Sequence, residues 1–347
     1  MERKGNTMAR LNKHTVLITA SGVGFFLVAR RVVRWWRQYD LRDKVVLITG
    51  GSRGLGLVLA RQLLHRGAQL AICARDEPEL ERARADLDHE SVLTVPCDIT
   101  DRRQVQTMVD VVRGHFGRID VLINNAGAIQ VGPVELMTVE DYEEAMKVHF
   151  WGPLYAVLAV LPAMRRRREG RIVNISSIGG KVSMPHLLPY NASKFALVGL
   201  SEGLRAELAK DGIVVTTVCP GLMRTGSPRN AFFKGQHREE YAWFSISDAL
   251  PLISQSAERA ARQIIAACAR GDAEVVLSLP AKLASTVYAL FPGLSADLLG
   301  LANTLLLPAP GGIGTAQLPG KHSSSALAPS WLTTLSDRAA QRNNEDA

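Results

Sequence analysis

The chain has 347 residues, 47% hydrophobic and 21% charged, an ordinary balance for a globular protein that buries a substantial core. Its formal charge is +8, but residues 1–44 hold ten Lys/Arg against three acids, so the body is nearly neutral and no nucleic-acid partner is expected. Cys73, Cys97, Cys219 and Cys268 stand far apart with no CxxC pair, which argues against a zinc or disulfide framework and fits small buried side chains in a reducing compartment.

Residues 15–29 (TVLITASGVGFFLVA) carry no charge, and Arg30, Arg31, Arg34 and Arg37 follow, with Trp35, Trp36 and Tyr39 among them. A membrane span usually needs about 20 apolar residues, but Val32 and Val33 extend this run and flanking arginines can snorkel. Aromatic rings beside a basic cluster suit a membrane–water interface. No A-x-A cleavage site follows, which disfavours a removed signal peptide. Residues 1–39 are therefore expected to anchor the protein to a membrane. The positive charge lies C-terminal to the apolar run, so the body is expected in the cytoplasm.

From Lys44 onward, short apolar runs alternate with amphipathic stretches. Strands are predicted at 45–49, 69–74, 92–96, 119–123, 171–176, 213–218 and 274–277. Helices are predicted at 55–66, 78–88, about 100–116, within 139–164, around Tyr190 and at 257–269. This alternation implies one α/β domain over residues 40–280, a doubly wound, mainly parallel seven-stranded sheet. Residues 165–168, four arginines, read as the solvated end of a helix. Residues 226–255 read as a long irregular insertion that could hold a substrate lid. Residues 281–310 are rich in Leu and Ala, broken at Pro292-Gly293, and predict two short apolar helices for the cleft, a bilayer surface or a second subunit. Residues 311–347 are rich in Ser, Pro, Gly and Asn and are expected to be disordered.

The chemistry starts at Thr49-Gly50-Gly51-Ser52-Arg53-Gly54-Leu55-Gly56, which leaves a strand and opens a helix. Glycines there permit a tight turn and close backbone approach to a pyrophosphate at the helix N-terminus. Tyr190 and Lys194 fall four residues apart on one helical face. An ammonium one turn from a phenol favours the phenolate, which suits a general acid or base for a carbonyl or alcohol.

The spacing T-G-x-x-x-G-x-G together with Tyr190-x-x-x-Lys194 resembles the short-chain dehydrogenases/reductases. Asn124-Asn125-Ala126-Gly127 ends the fourth strand like that family's NNAG, Ser177 stands where its catalytic serine is found, and Pro220-Gly221 with Thr225 matches PG-x-x-x-T. The resemblance implies Tyr190 as acid/base, Lys194 as its activator and ribose ligand, and Ser177 as hydrogen-bond partner of the substrate oxygen. It implies cofactor contacts from Gly50, Ser52, Arg53, Gly54, Leu55 and Gly56, and from Asp98 and Ile99 at the adenine. Further contacts are implied from Asn125, Ala126 and Gly127, and from Pro220, Gly221 and Thr225. A homo-oligomer, dimer or tetramer, is also implied. The family places Asn in a V-N-x-x-G segment to complete a proton relay; here Val148-His149-Phe150-Trp151-Gly152 puts His149 there.

Binding NAD normally uses an acid about 20 residues beyond the loop. Ala74 takes that place and Arg75 follows, with Arg53 in the loop as a second cation, so NADP(H) is expected. These readings together predict a membrane-associated NADP(H)-dependent oxidoreductase that interconverts a ketone or aldehyde and its alcohol on an apolar, lipid-like, steroid-like or retinoid-like substrate. The competing readings are a lyase or epimerase on the same fold, and a non-catalytic NADP-binding sensor marked by His149.

Overall fold

Strand β1 (Val45–Thr49) is fully buried and occupies the middle of a seven-stranded sheet in the computed structural model, which describes residues 38–325, 327–330 and 333–345. The other strands are β2 (Gln69–Ala74), β3 (Val92–Pro96), β4 (Val121–Asn124), β5 (Gly170–Ile175), β6 (Ile213–Cys219) and β7 (Glu274–Val276). Their order is β3-β2-β1-β4-β5-β6-β7 and every pairing is parallel. Side chains alternate between the two faces. Val46 and Ile48 join a core with Leu57 and Leu63 of helix α1 (Gly54–Leu64), while Val45 and Leu47 join one with Val105 and Met108 from the other side. Burial on both faces is what a parallel sheet covered by helices requires. The expected doubly wound architecture is present, with the sheet wholly parallel.

The remaining helices of the sheet domain are α2 (Glu77–Leu87), α3 (Arg102–Phe116), α4 (Val139–Met146), α5 (Gly152–Arg167), α6 (Leu188–Leu208), α7 (His237–Ala249) and α8 (Ala257–Arg270). The chain leaves β3 at one edge and crosses to β4 on the other side of β1. Loops after β1 and β4 therefore diverge at a topological switch point, where α/β sheets take their ligands. Residues 15–29 lie outside the described residues.

Two expectations are corrected here. Residues 226–255 are not irregular: they hold a helical turn (Ser227–Asn230), the strand Phe232–Phe233 and α7. Phe233, Tyr241 and Phe244 pack with Val131 and Leu187 into a core of their own, which the scattered aromatics of the sequence did not announce. The described residues of the tail, expected to be disordered, are also folded. Leu318–Pro319 pairs antiparallel with Phe232–Phe233, and helix α11 (Thr334–Arg342) packs on α7, after α9 (Leu279–Leu290) and α10 (Pro292–Leu306). Its low apolar content is offset by polar partners: Arg229 binds Asp337 at 2.8 Å, and Ala339 and Ala340 are buried.

Candidate active site

The glycine loop is shaped by what cannot fit. Gly50 has φ of 63°, and a Cβ there would stand 2.8 Å from Ala126 Cα. A Cβ on Gly56 would stand 2.0 Å from Gly50 O. The loop thus lies flat against the turn after β4. Asn125 Nδ2 donates to Thr49 O at 3.1 Å and to Gly50 O at 2.8 Å, and the Asn125 and Ala126 amides donate to Thr49 Oγ1. Bare backbone at the N-terminus of α1 fits the pyrophosphate of a dinucleotide. Asn125 therefore locks the loop, its side chain spent on the backbone.

A cleft of about 730 Å³ runs from this loop to Ser177, Tyr190 and Lys194. Ser177 follows β5; its hydroxyl accepts the Gly179 amide at 3.0 Å, and it lines the cleft together with Tyr190. Helix α6 carries Tyr190 and Lys194 on one face, with Lys194 Nζ 5.6 Å from the phenol ring centre and donating to Ile175 O at 3.0 Å. The expected lowering of the Tyr190 pKa by Lys194 is absent. Burial pushes the phenol up to about 12, opposed by the Ser177 hydrogen bond. Burial also pushes Lys194 down to about 7, so the lysine is itself short of charge at neutral pH.

His149 lies in a π-helical turn (Lys147–Trp151) joining α4 to α5, where the one extra residue per turn swings the ring inward. The ring is fully buried and meets Tyr190 edge-on, 5.3 Å between centres. Ala128 N–H donates to Nε2 at 3.2 Å, which leaves the proton on Nδ1, 2.8 Å from Ser193 Oγ; that hydroxyl donates to Tyr190 O. Burial and the neighbouring Lys194 hold the ring well below the usual histidine range. Both nitrogens are engaged, so His149 joins the turn after β4 to the helix of Tyr190.

At the far end of the cleft, Arg75 is exposed and lines the wall, and Asp76 is committed to capping α2, accepting the Glu79 amide at 2.8 Å. Glu79 is one residue that sequence reasoning missed. Its carboxylate accepts from Ser52 Oγ and pairs with Arg53 at 2.8 Å. An acid in the first turn of the helix after β2 was the available signal. Of the two arginines expected to greet a 2′-phosphate, one is therefore already paired. Asp98 accepts from the Thr100 amide and hydroxyl and lines the cleft beside buried Ile99.

Ile178 N–H donates to Pro220 O at 2.6 Å, and Gly221 approaches the start of α9, where a Cβ would stand 2.9 Å from Ala281 Cβ. Thr225 Oγ1 lies 2.7 Å from Ser227 Oγ. Ile129, Met184, Leu187 and Phe244 supply the apolar part of the wall. Helix α7 is pinned over it by Glu240, which holds His186 at 2.6 Å and accepts from Trp243 at 2.6 Å. Two further acids line the cleft that no motif announced: Asp248 from α7 and Glu345 from the tail. Burial pushes Asp248 up to about 8, helped by the Glu345 charge.

The sequence model of the short chain dehydrogenase family matches residues 44–233, more than half of the chain. A dehydrogenase/reductase SDR family protein 7-like of Anopheles gambiae is 39% identical over 246 residues, 69% of this chain and 76% of that protein. Human dehydrogenase/reductase SDR family member 7 is 36% identical over 56% of this chain and 59% of its own length. Among solved structures, a short-chain dehydrogenase from Streptomyces avermitilis superposes with a TM-score of 0.65 at 30% identity, covering 76% of this chain and 97% of that one. A gluconate 5-dehydrogenase from Burkholderia cenocepacia, in complex with NADP and tartrate, gives 0.62 at 28%, over 71% and 98%. Sheet, glycine loop and Ser-Tyr-Lys geometry agree with these matches: the chain belongs to the short-chain dehydrogenase/reductase family of oxidoreductases.

Proposed function

We propose that the protein uses NADP(H) to interconvert a carbonyl and an alcohol on an apolar, lipid-like substrate. The observation that carries this is that Ser177, Tyr190 and, one turn on, Lys194 line the same cleft as the glycine loop. Bound nicotinamide supplies the hydride; the protein supplies orientation and the proton. Ser177 is placed to hold the substrate oxygen. Tyr190, kept neutral by burial, is placed to give that oxygen its proton in reduction. Lys194 contributes charge to the phenol once protonated. NADP(H) is supported by Ala74 in place of an acid, by exposed Arg75 in the cleft wall, and by the NADP named for the gluconate 5-dehydrogenase. An apolar substrate is supported by the Met184, Leu187 and Phe244 wall. Residues 15–29 support membrane attachment with the body in the cytoplasm, and the family's habit supports a homo-oligomer.

The test is product analysis with NADPH and a panel of apolar ketones and aldehydes. Tyr190→Phe keeps the ring and removes the donor, so reduction is expected to fall by about 10²-fold or more with NADPH binding retained. Near-normal turnover in this variant removes Tyr190 from the mechanism. NADPH binding without turnover on any carbonyl favours the sensor reading.

A further inference from the structure

The last described residues of the chain lie against the glycine loop. Asn343 O accepts the N–H of Gly54, the first residue of α1, at 2.9 Å. Asn344 Nδ2 donates to Ser52 O at 2.9 Å and to Glu79 O at 3.1 Å. Arg61 of α1 donates to Asn343 Oδ1 at 2.8 Å and to Arg342 O at 2.7 Å, and Arg82 of α2 to Asn344 Oδ1 at 3.0 Å. From this strap the Glu345 side chain turns into the cleft. One carboxylate oxygen accepts the Gly226 amide at 2.6 Å; the other stands 2.9 Å from where a Cβ on Gly54 would be. Glu345 is buried, among Ser52, Arg53, Leu55 and Thr225.

A carboxylate thus bridges the two loops between which the cleft narrows: the glycine loop after β1 and the loop after β6. The N-terminus of an eleven-residue helix attracts negative charge, and here the chain provides that charge from its own end. We propose that Glu345 is an internal anion of the cofactor cleft, holding the α1 N-terminus and the Gly226 amide until the pyrophosphate of a dinucleotide displaces it, so that the tail sets cofactor affinity. This rests on the dinucleotide reading given above. Like charges cannot share a dry site, so the carboxylate must swing out or take up a proton when phosphates enter. Burial has already pushed it up to about 7, against the Gly226 hydrogen bond and the Arg53 and Arg229 charges, with Glu79 acting in the same sense as burial. Expulsion of the side chain pulls on the strap that carries it, loosening the Glu345 N–H bond to Ala340 O with it.

Full-length Glu345→Gln keeps an acceptor for Gly226 and loses the charge. In calorimetric titrations it is expected to bind NADPH, NADH and ADP-ribose alike, each about tenfold or more tightly than wild type, a gain of about 1.4 kcal/mol. An equal gain for all three assigns the effect to the shared pyrophosphate, since only NADPH carries the 2′-phosphate. Unchanged or weaker binding overturns the inference; weaker binding makes Glu345 part of a clamp on the bound cofactor. Hydrogen exchange on the wild-type protein supplies a second reading without substitution. Residues 343–345 are expected to exchange faster with NADPH present, and greater protection overturns the inference. Failure of wild type and variant to bind any of the three ligands removes the dinucleotide reading and this inference with it. Binding by wild type with no gain in the variant overturns the inference alone.

Discussion

Tyr190, Lys194 and Asp248 line one cleft, and burial moves each toward its neutral form. The consequences for stability have opposite signs. Asp248 in the fold titrates at about 8, above an unfolded value near 4, so wild type loses stability as pH rises between those values. Asparagine never charges and escapes that loss. Asp248→Asn is expected to raise the thermal midpoint by an increment close to zero at about pH 4 and largest from about pH 8 upward. A pH-independent increment would mean the side chain acts through packing alone. Lys194, at about 7 in the fold against about 10.4 unfolded, works the other way: the unfolded chain binds more protons, so its burial costs most below about pH 7. His149 bears on geometry. With Ala128 and Ser193 on its two nitrogens, His149→Ala is expected to lower turnover by loosening the Tyr190 helix, with little change in NADPH affinity; His149→Asn is expected to keep part of the bonding. Steady-state kinetics from about pH 5.5 to 9 checks both, and an Ala variant equal to wild type throughout denies His149 any part.

At the scale of elements, two places decide partners. The first turn of α2 brings Glu79 onto Ser52 and Arg53, which leaves Arg75 as the exposed cation at this end of the cleft. Arg75→Ala is therefore expected to weaken NADPH more than NADH, and equal losses would make Arg75 a solvent-facing bystander. The second place is the pair α9 and α10, which meet at 120°. Leu294, Leu298, Leu301, Leu305 and Leu306 are each more than half exposed, as are Leu279, Leu283 and Leu290 on α9. Apolar side chains exposed over so much of a helix call for a cover other than water. A bilayer surface is the cover that residues 15–29 would bring near. Leu298→Glu with Leu305→Glu is expected to reduce flotation with liposomes and leave NADPH binding intact; unchanged flotation assigns the pair to another partner. These helices were legible because Pro292 and Gly293 break an apolar run whose only charges are Lys282 and Asp297. The π-turn at Lys147–Trp151 was not, because one extra residue in a turn leaves the apolar pattern of residues 139–164 almost unaltered.

Across the whole molecule, what was readable is what local chemistry dictates: strands from β-branched runs, the glycine loop from its steric demands, Tyr190 and Lys194 from helical spacing. What was not readable depends on partners distant in sequence. Glu79 at Arg53, Asp248 beside Tyr190 and Asn344 on Ser52 carry no periodicity and no motif. Composition misjudged the tail for the same reason, since hydrogen bonds and an ion pair to the body add to its modest apolar burial. The N-terminal end lends itself to a direct test. Tyr39 donates to Ala269 O at 2.9 Å, and its ring lies under Lys44 and Arg171, so the domain's first contact survives removal of residues 1–37. The truncated protein is expected to pass from the membrane fraction to the soluble one and to keep NADPH binding. Full-length protein that is soluble without detergent rejects the anchor.

Asn344 touches Ser52 across 292 positions of sequence. During synthesis the sheet, the glycine loop and the Ser-Tyr-Lys group can all emerge and fold while the residues that finish the cleft wall are still inside the ribosome. Contacts of such separation form late, after the intervening loop entropy has been overcome. The rest of the cleft can thus be in place before this part of its wall closes over the glycine loop.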